Sequence, residues 1–178
     1  MRDAVVAELA AYRPSDPGQE ELRAQFLAAA RAGALSREDE PDHLTGSAVV
    51  LDPSRRQVLL VLHKKVRLWL QPGGHCDPED DRLAQAALRE AVEETGVPDL
   101  VLASDLPVHL DRHIAPCGAR YHLDVRFLVT APEDAGVAVS EESEDVRWWP
   151  VDALPELRSA DLPAMLAAAL RADGRPSS

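Results

Sequence analysis

Two periodicities divide the chain into helical and extended segments. Apolar residues recur every three or four positions at 2–12 and 18–32, which predicts two amphipathic helices near the N-terminus. From residue 47 onward, short β-branched and leucine-rich runs are separated by Pro, Gly and Asp, a pattern typical of strands and turns. The predicted strands are 47–51, 58–63, 68–70, 99–103, 106–114, 121–130 and 146–149, and further helices are predicted at 82–95 and 162–171.

This order of elements predicts an α/β fold, with a mixed or mostly antiparallel sheet and helices on its faces. We expect an N-terminal helical extension at 1–42, a main domain at 43–172 and a disordered tail at 173–178. The extension is expected either to pack on the main domain or to complete a homodimer.

Composition limits the classes of partner. The net charge is −12, and an acidic surface of that size repels nucleic-acid polymers and anionic membranes. No apolar run approaches the length of a membrane span, and two cysteines are too few for a disulfide framework. We therefore expect a cytoplasmic protein with reduced thiols and no membrane association.

The negative charge is concentrated in two segments. Residues 75–97 hold seven acids and two bases, residues 133–147 hold six and one, and together they account for −10 of the net charge. In the predicted helix 82–95, three glutamates project from one face within about one turn. They are Glu90, Glu93 and Glu94. Their mutual repulsion is relieved if a divalent cation binds, and oxygen ligands suit Mg²⁺ or Mn²⁺. The alternative is an exposed glutamate-rich helix.

The sequence around these glutamates resembles the Nudix box, G-x5-E-x7-R-E-U-x-E-E-x-G-U, where U is aliphatic. Residues 89–97 match every fixed position of its second half, with Ala91 as a small U. In the first half, counting back from Arg89 with the motif's spacing places Asp81 where the motif has its first glutamate. The loop between Gly74 and Asp81 is one residue longer than in the motif. The chain is identified as a member of the Nudix hydrolase superfamily, MutT-like. The segment 69–75, Trp-Leu-Gln-Pro-Gly-Gly-His, further resembles a bacterial subgroup.

This resemblance implies an α/β/α sandwich that hydrolyses the pyrophosphate bond of a nucleoside diphosphate linked to another moiety. It implies Mg²⁺ or Mn²⁺ as cofactor and attack by a metal-activated water. By position, Glu90 and Glu94 are the main metal ligands, Glu93 shares that role, and the Gly73 carbonyl is a possible further ligand. Arg89 is expected to orient one of the carboxylates.

The resemblance leaves the general base open. The candidates are Glu93, Glu94 and an acid in the loop before the last strand, either Glu142 or Glu144. A solvated loop is the alternative for this second acidic segment. In the strand that follows, one of Trp148 and Trp149 is expected to be buried, while the other packs or stacks on a base.

Polar side chains alternate along two neighbouring predicted strands. The first row is His109, Asp111 and His113, and the second row is His122, Asp124 and Arg126. Alternate residues of a strand share a face, so a hairpin near 116–118 would bring both rows to one pocket. We expect this wall to bind substrate, with Lys64 as a candidate phosphate contact.

Two other interpretations of the histidines remain open. They are neutral structural residues bonded to carboxylates, or ligands of a transition-metal site, although no C-x2-C spacing supports such a site. The candidates for that site are His75, Cys76, His109 and His113.

Two other functions are also compatible with the resemblance. One is a non-catalytic regulatory module that binds a nucleotide. The other is an enzyme similar to isopentenyl diphosphate isomerase, suggested by Gly74-His75-Cys76. The complete set of box glutamates favours the hydrolase.

Overall fold

In the part of the chain that the structure describes, seven strands form one sheet and four helices pack on its two faces. The computed structural model describes residues 1–36, 41–115, 117–141 and 143–172, so the predicted tail at 173–178 and Glu142 lie outside the described residues. The helices are α1 (Arg2–Ala11), α2 (Pro17–Ala32), α3 (Leu83–Thr95) and α4 (Leu162–Arg171). The strands are β1 (Asp42–Leu51), β2 (Gln57–His63), β3 (Trp69–Leu70), β4 (Gly73–His75), β5 (Val101–Ile114), β6 (Tyr121–Thr130) and β7 (Ser143–Pro150).

The sheet is mixed, as predicted. Its main strand order is β3-β2-β1-β6-β5, while β4 also pairs with β1 and β7 pairs with β2. Only β1 and β6 run parallel among the paired strands described; the other pairs are antiparallel. Alternate residues of β1 face opposite layers: Ala48 and Val50 pack in the cluster that includes α3, and Val49 packs against α4. The predicted α/β sandwich is therefore confirmed.

Two sequence-based boundaries differ from the structure. The predicted strands 99–103 and 106–114 are one strand, β5, whose pairing with β6 is irregular around Pro107. The polar pair Ser104-Asp105 interrupts the apolar pattern of the sequence, whereas Pro107, which lacks an N–H group, lies where the ladder itself is irregular. The glycine pair at 73–74, predicted as a turn, begins strand β4.

Helix α3 lies unusually close to β1. A Cβ atom on Gly46 would lie 2.7 Å from the Leu83 carbonyl oxygen and 3.1 Å from the Ala87 amide nitrogen. At its other end the helix terminates at Gly96, whose φ of 64° favours glycine. Because Gly46 has no side chain, α3 can approach the sheet this closely.

The N-terminal extension packs on the main domain, which is one of the two arrangements expected from the sequence. Val5, Leu9 and Phe26 are fully buried in the same apolar cluster as the start of α3. Glu8 of α1 caps α3, because its carboxylate accepts hydrogen bonds from the Leu83 and Ala84 amides at 3.0 and 3.1 Å. Helix α3 has no cap from its own N-cap side chain, Arg82. The extension thus supplies a contact that α3 lacks locally.

We expect Glu8→Ala to lower the free energy of unfolding by about 1–2 kcal/mol, because two N–H groups at the start of α3 lose their acceptor. Urea denaturation measures this change. Glu8→Gln is the matched control, since its amide oxygen keeps one acceptor, and it should cost less. Equal stability of Glu8→Ala and the wild type would contradict the capping role.

The stability of the wild type relative to Glu8→Gln should also depend on pH. Burial raises the pKa of the Glu8 carboxyl, although the hydrogen bonds from Ala84 and Leu83 oppose the shift. Because the folded state binds the proton more tightly than the unfolded state, the contribution of Glu8 is greatest at low pH and declines as pH rises. Denaturation from about pH 4 to about pH 7 should show the wild type losing stability relative to the variant. A constant difference would argue against the raised pKa.

Candidate active site

Three carboxylates of α3 lie beside β4, on the helix face predicted from their spacing. Glu94 is buried, and its Oε2 accepts a hydrogen bond from the Gly73 amide at 3.1 Å. The Glu90 carboxylate lies against Gly74, where a Cβ atom would approach its carboxyl carbon to 2.7 Å. Glu93 is the most open of the three, with 58% of its side chain exposed. The glycine pair therefore lets the backbone of β4 approach the carboxylates.

Arg89 connects these carboxylates to the preceding loop. Its guanidinium donates to Glu90 at 3.0 Å, to Glu93 at 3.1 Å and to the His75 carbonyl at 2.8 Å. The orienting role expected of Arg89 is consistent with these contacts. One arginine holds two of the three glutamates and the end of β4 together.

Two acids of the preceding loop contact Arg89, Asp77 at 3.5 Å and Asp80 at 2.9 Å, whereas the box spacing pointed to Asp81. Asp80 is buried and accepts from Arg89 Nη2 at 2.9 Å and from the Asp77 amide at 2.8 Å. Asp81 is exposed, and its amide donates to the Gln85 side chain. In this longer loop the Asp77 amide bonds back to the Asp80 side chain. This contact holds the carboxylate of Asp80, rather than that of Asp81, beside Arg89.

The charge at this site favours binding of a cation. Burial raises the pKa of the Glu90 carboxyl, the Arg89 guanidinium opposes this effect, and the neighbouring Glu93 adds to it. The pKa of Glu90 therefore lies above its ordinary value even beside an arginine. A divalent cation would relieve the repulsion between the Glu90 and Glu93 carboxylates, and carboxylate oxygens are among its preferred ligands.

The carboxylates line a cavity of about 860 Å³ whose opposite wall is the polar face of the sheet. Pairing of β5 with β6 sets His109 opposite Arg126, Asp111 opposite Asp124 and His113 opposite His122. The two predicted polar rows are therefore adjacent. Lining residues from the rows are Asp111, His113, His122, Asp124 and Arg126. His109 is not among the lining residues and lies instead 3.4 Å from the side-chain nitrogen of Gln19.

Asp124 and Arg126 form a buried ion pair within this wall. Asp124 accepts from Thr45 Oγ1 at 3.0 Å, Ser47 Oγ at 2.6 Å, Gln71 Nε2 at 3.2 Å and Arg126 Nε at 2.8 Å. Burial alone would raise the pKa of the Asp124 carboxyl, but the Arg126 guanidinium and the Ser47 hydroxyl hold it below its ordinary value. The hydrogen-bonding capacity of this carboxylate is used within the protein.

Arg126 is similarly saturated by protein groups. Besides Asp124 it contacts Asp111 at 3.4 Å and pairs with Asp161, which precedes α4. These contacts fit a positioning role better than the direct substrate contact expected from the sequence.

We expect Arg126→Met to lower the free energy of unfolding by about 3–5 kcal/mol, because buried carboxylates would lose their counter-charge. Urea denaturation at neutral pH measures the loss. Arg120→Met is the control, since the Arg120 side chain is 60% exposed and pairs with Asp42 at the surface. The control should change stability far less. Similar losses in the two variants would contradict the role given to Arg126.

Three histidines and a cysteine converge at one end of the cavity. Parallel pairing of β1 with β6 sets His43 opposite His122, and β4 brings His75 beside them. The Nε2 atoms of His43 and His75 are 3.1 Å apart, and Cys117 Sγ lies 3.2 Å from His122 Nε2. Burial and the neighbouring imidazoles lower the pKa of His122 to about 3, so its ring is neutral at physiological pH.

This cluster differs from the transition-metal set expected from the sequence, with which it shares only His75. Cys76 lies in the apolar core beside α3, and burial raises the pKa of its thiol to about 12. His113 bonds to Asp111 at 2.9 Å and His109 to Gln19 and Arg126. His43 and Cys117 were missed, and the available signal was only that all six histidines lie between positions 43 and 122.

Lys64 and Glu144 are not among the residues that line the cavity. The Lys64 ammonium donates to the Glu141 carbonyl, and Glu144 pairs with Arg67. These contacts join the loop after β2 to the start of β7, so the structure does not support the expected phosphate contact at Lys64 or a base at Glu144. Local sequence could not reveal this pairing across the sheet.

The two tryptophans of β7 pack on opposite faces of the sheet. Trp148 packs against the α3-side cluster, and Trp149 meets Trp69 edge-on with ring centroids 5.3 Å apart. Both therefore take the packing role, and neither lines the cavity. None of the helices in the described part of the chain has the length and hydrophobicity needed to cross a bilayer.

Known proteins similar to this chain include one relative in sequence and two solved structures with the same fold. The putative 8-oxo-dGTP diphosphatase of Bacillus subtilis (strain 168) is 45% identical over 51 residues, 29% of this chain, and the match spans only 34% of that relative's length. A NUDIX-family hydrolase from Clostridium perfringens superposes with a TM-score of 0.61 at 23% identity, covering 72% of this chain and 95% of that one. The NUDIX domain of Shewanella oneidensis NrtR, complexed with ADP ribose, gives 0.56 at 22% identity, covering 80% and 96%.

The structural matches establish the fold, and the decisive comparison is the one with the family itself. The NUDIX domain model matches residues 41–169, close to the main domain predicted from the sequence. The match covers well over half of the chain and contains the carboxylate helix and the strands around the cavity. The chain belongs to the NUDIX domain family.

Proposed function

We propose that this chain is a hydrolase that cleaves the pyrophosphate bond of a nucleoside diphosphate linked to another moiety. The observation that carries the proposal is the group of three glutamates on α3, held by Arg89 and the glycines of β4 against a cavity of about 860 Å³. The diphosphatase name of the B. subtilis relative supports this reaction class, although the match covers a third of that protein.

We assign divalent-cation binding to Glu90 and Glu94, with Glu93 and the Gly73 carbonyl as further candidates. Mg²⁺ and Mn²⁺ fit this set because its ligands are oxygen atoms and because the carboxylates lie in one cavity without enough positive charge to balance them. When bound, such a cation neutralises phosphoryl charge and lowers the pKa of a coordinated water.

The side chains around the carboxylates prepare the site for this chemistry. Arg89 fixes the orientation of Glu90 and Glu93, and the Gly73 amide fixes Glu94, so little reorganisation is needed when charge develops. Of the candidates for general base, Glu93 is the best suited, because its half-exposed carboxylate reaches both the cavity and solvent. Glu94 is an alternative, and Glu142, which lies outside the described residues, also stays a candidate.

The polar wall is proposed to receive the rest of the substrate. His113 and Asp111 face the cavity, and their mutual hydrogen bond of 2.9 Å fixes the imidazole. The partner is a small nucleoside diphosphate derivative, the chemical class of the ADP ribose bound by the NrtR domain.

With Mg²⁺ present, at least one member of a panel of nucleoside diphosphate derivatives should release a mononucleotide. The panel comprises dinucleotide polyphosphates, nucleotide sugars, NADH, CoA and nucleoside triphosphates. Glu94→Gln should lower kcat at least about a hundredfold, because a ligand and its charge are lost together. Glu156→Gln, at an exposed glutamate outside the cavity, is the matched control and should retain activity. Product release is followed by chromatography.

Two outcomes would overturn the assignment. No turnover of any compound, combined with tight binding of one of them, would indicate a nucleotide-binding module. Turnover that survives in Glu94→Gln would mean that the catalytic centre lies elsewhere.

A further inference from the structure

We propose that His43, His75, His122 and Cys117 form a second metal site, specific for a transition metal of the Zn²⁺ type and separate from the carboxylates of α3. The four ligand atoms all lie within 4.8 Å of one another. Among the residues that the structure describes, this is the one group of three or more His, Cys, Asp or Glu side chains drawn so close. Glu90, Glu93 and Glu94 do not form a group of this kind.

Three of the six donor separations in the cluster lie close to those of tetrahedral coordination. With Zn–N bonds of about 2.0–2.1 Å and a Zn–S bond of about 2.3 Å, two nitrogen ligands lie about 3.3 Å apart and nitrogen and sulfur about 3.6 Å apart. The His43–His75 Nε2 separation is 3.1 Å, and Cys117 Sγ lies 3.2 Å from His122 Nε2 and 3.7 Å from His43 Nε2. All three imidazoles present the same ring atom, Nε2, to the common centre.

The donor types select the metal. Imidazole nitrogen and thiolate sulfur bind Zn²⁺ and disfavour Mg²⁺, whereas the glutamates of α3 offer only oxygen. His43 and His122 are buried, and the ring centroids of His43, His75 and His122 are each 5.0 Å from one another.

The position of the cluster gives the metal a structural role. Its ligands come from β1, β4, β6 and the turn between β5 and β6, so one ion would join four segments. Four protein ligands leave no open coordination position, which is typical of a structural site. Because the His75 carbonyl also accepts from Arg89, the ion would hold the end of β4 against the carboxylate helix.

Cobalt substitution tests the site directly in the full chain. After removal of metal with a chelator and addition of Co²⁺, we expect one equivalent to give the visible bands of tetrahedral Co²⁺ and a near-ultraviolet thiolate-to-cobalt band. Addition of Zn²⁺ should abolish both signals. Cys117→Ser should lose the thiolate band, whereas Cys76→Ser, which alters the cysteine in the apolar core, should keep it.

The result does not depend on activity. Glu94→Gln should keep the full cobalt spectrum even if hydrolysis is lost, so failure of the proposed function and failure of this site are distinguishable. The proposal is overturned if the wild type binds no equivalent of Co²⁺ or Zn²⁺ after dialysis, or if its cobalt spectrum lacks the thiolate band. It is also overturned if Cys117→Ser gives the wild-type spectrum. If Cys117→Ser does not fold, the spectra of the wild type and of Cys76→Ser decide.

Discussion

The buried ion pair of Arg126 with Asp124 is the contact on which the geometry of the cavity depends. Asp124 receives hydrogen bonds from Thr45 and Ser47 of β1, and Arg126 reaches Asp161 before α4. Removing charges from water is costly, so this pair is stable only while all of these partners are in place. A slip of β6 by one residue would turn the charges towards the apolar layer under α3. The polar centre therefore specifies the register of the parallel strands β1 and β6.

The cavity has two chemically different ends joined by one residue. The glutamates of α3 offer hard oxygen donors, whereas the imidazoles and the thiol at the other end offer the donors that a transition metal prefers. His75 belongs to both ends, since its ring faces the cluster and its carbonyl accepts from Arg89. The short strand β4 therefore connects the two ends of the cavity physically.

The sequence predicted the features that depend on local pattern. It did not predict the contacts between segments that are distant in sequence. The 3.6-residue period and the box motif were sufficient for α3 and its glutamates, because both are contained in one helix. The pairing of His43 with His122 depends on parallel strands that are distant in sequence, and no spacing reveals that register. Asp80 was not predicted because the loop is one residue longer than in the motif, and motif spacing does not determine how such a loop folds. Alternation correctly placed the polar rows on one face, but it did not reveal that the Arg126 guanidinium would pair with three carboxylates of the protein.

The contact between Glu8 and the start of α3 has a consequence for the definition of the domain. The family match begins at residue 41, yet a chain cut there would lose the cap of the helix that carries the glutamates. It would also expose the apolar surface that Val5, Leu9 and Phe26 cover. The first two helices therefore share the apolar core of the main domain, and the boundary of sequence similarity lies inside that core.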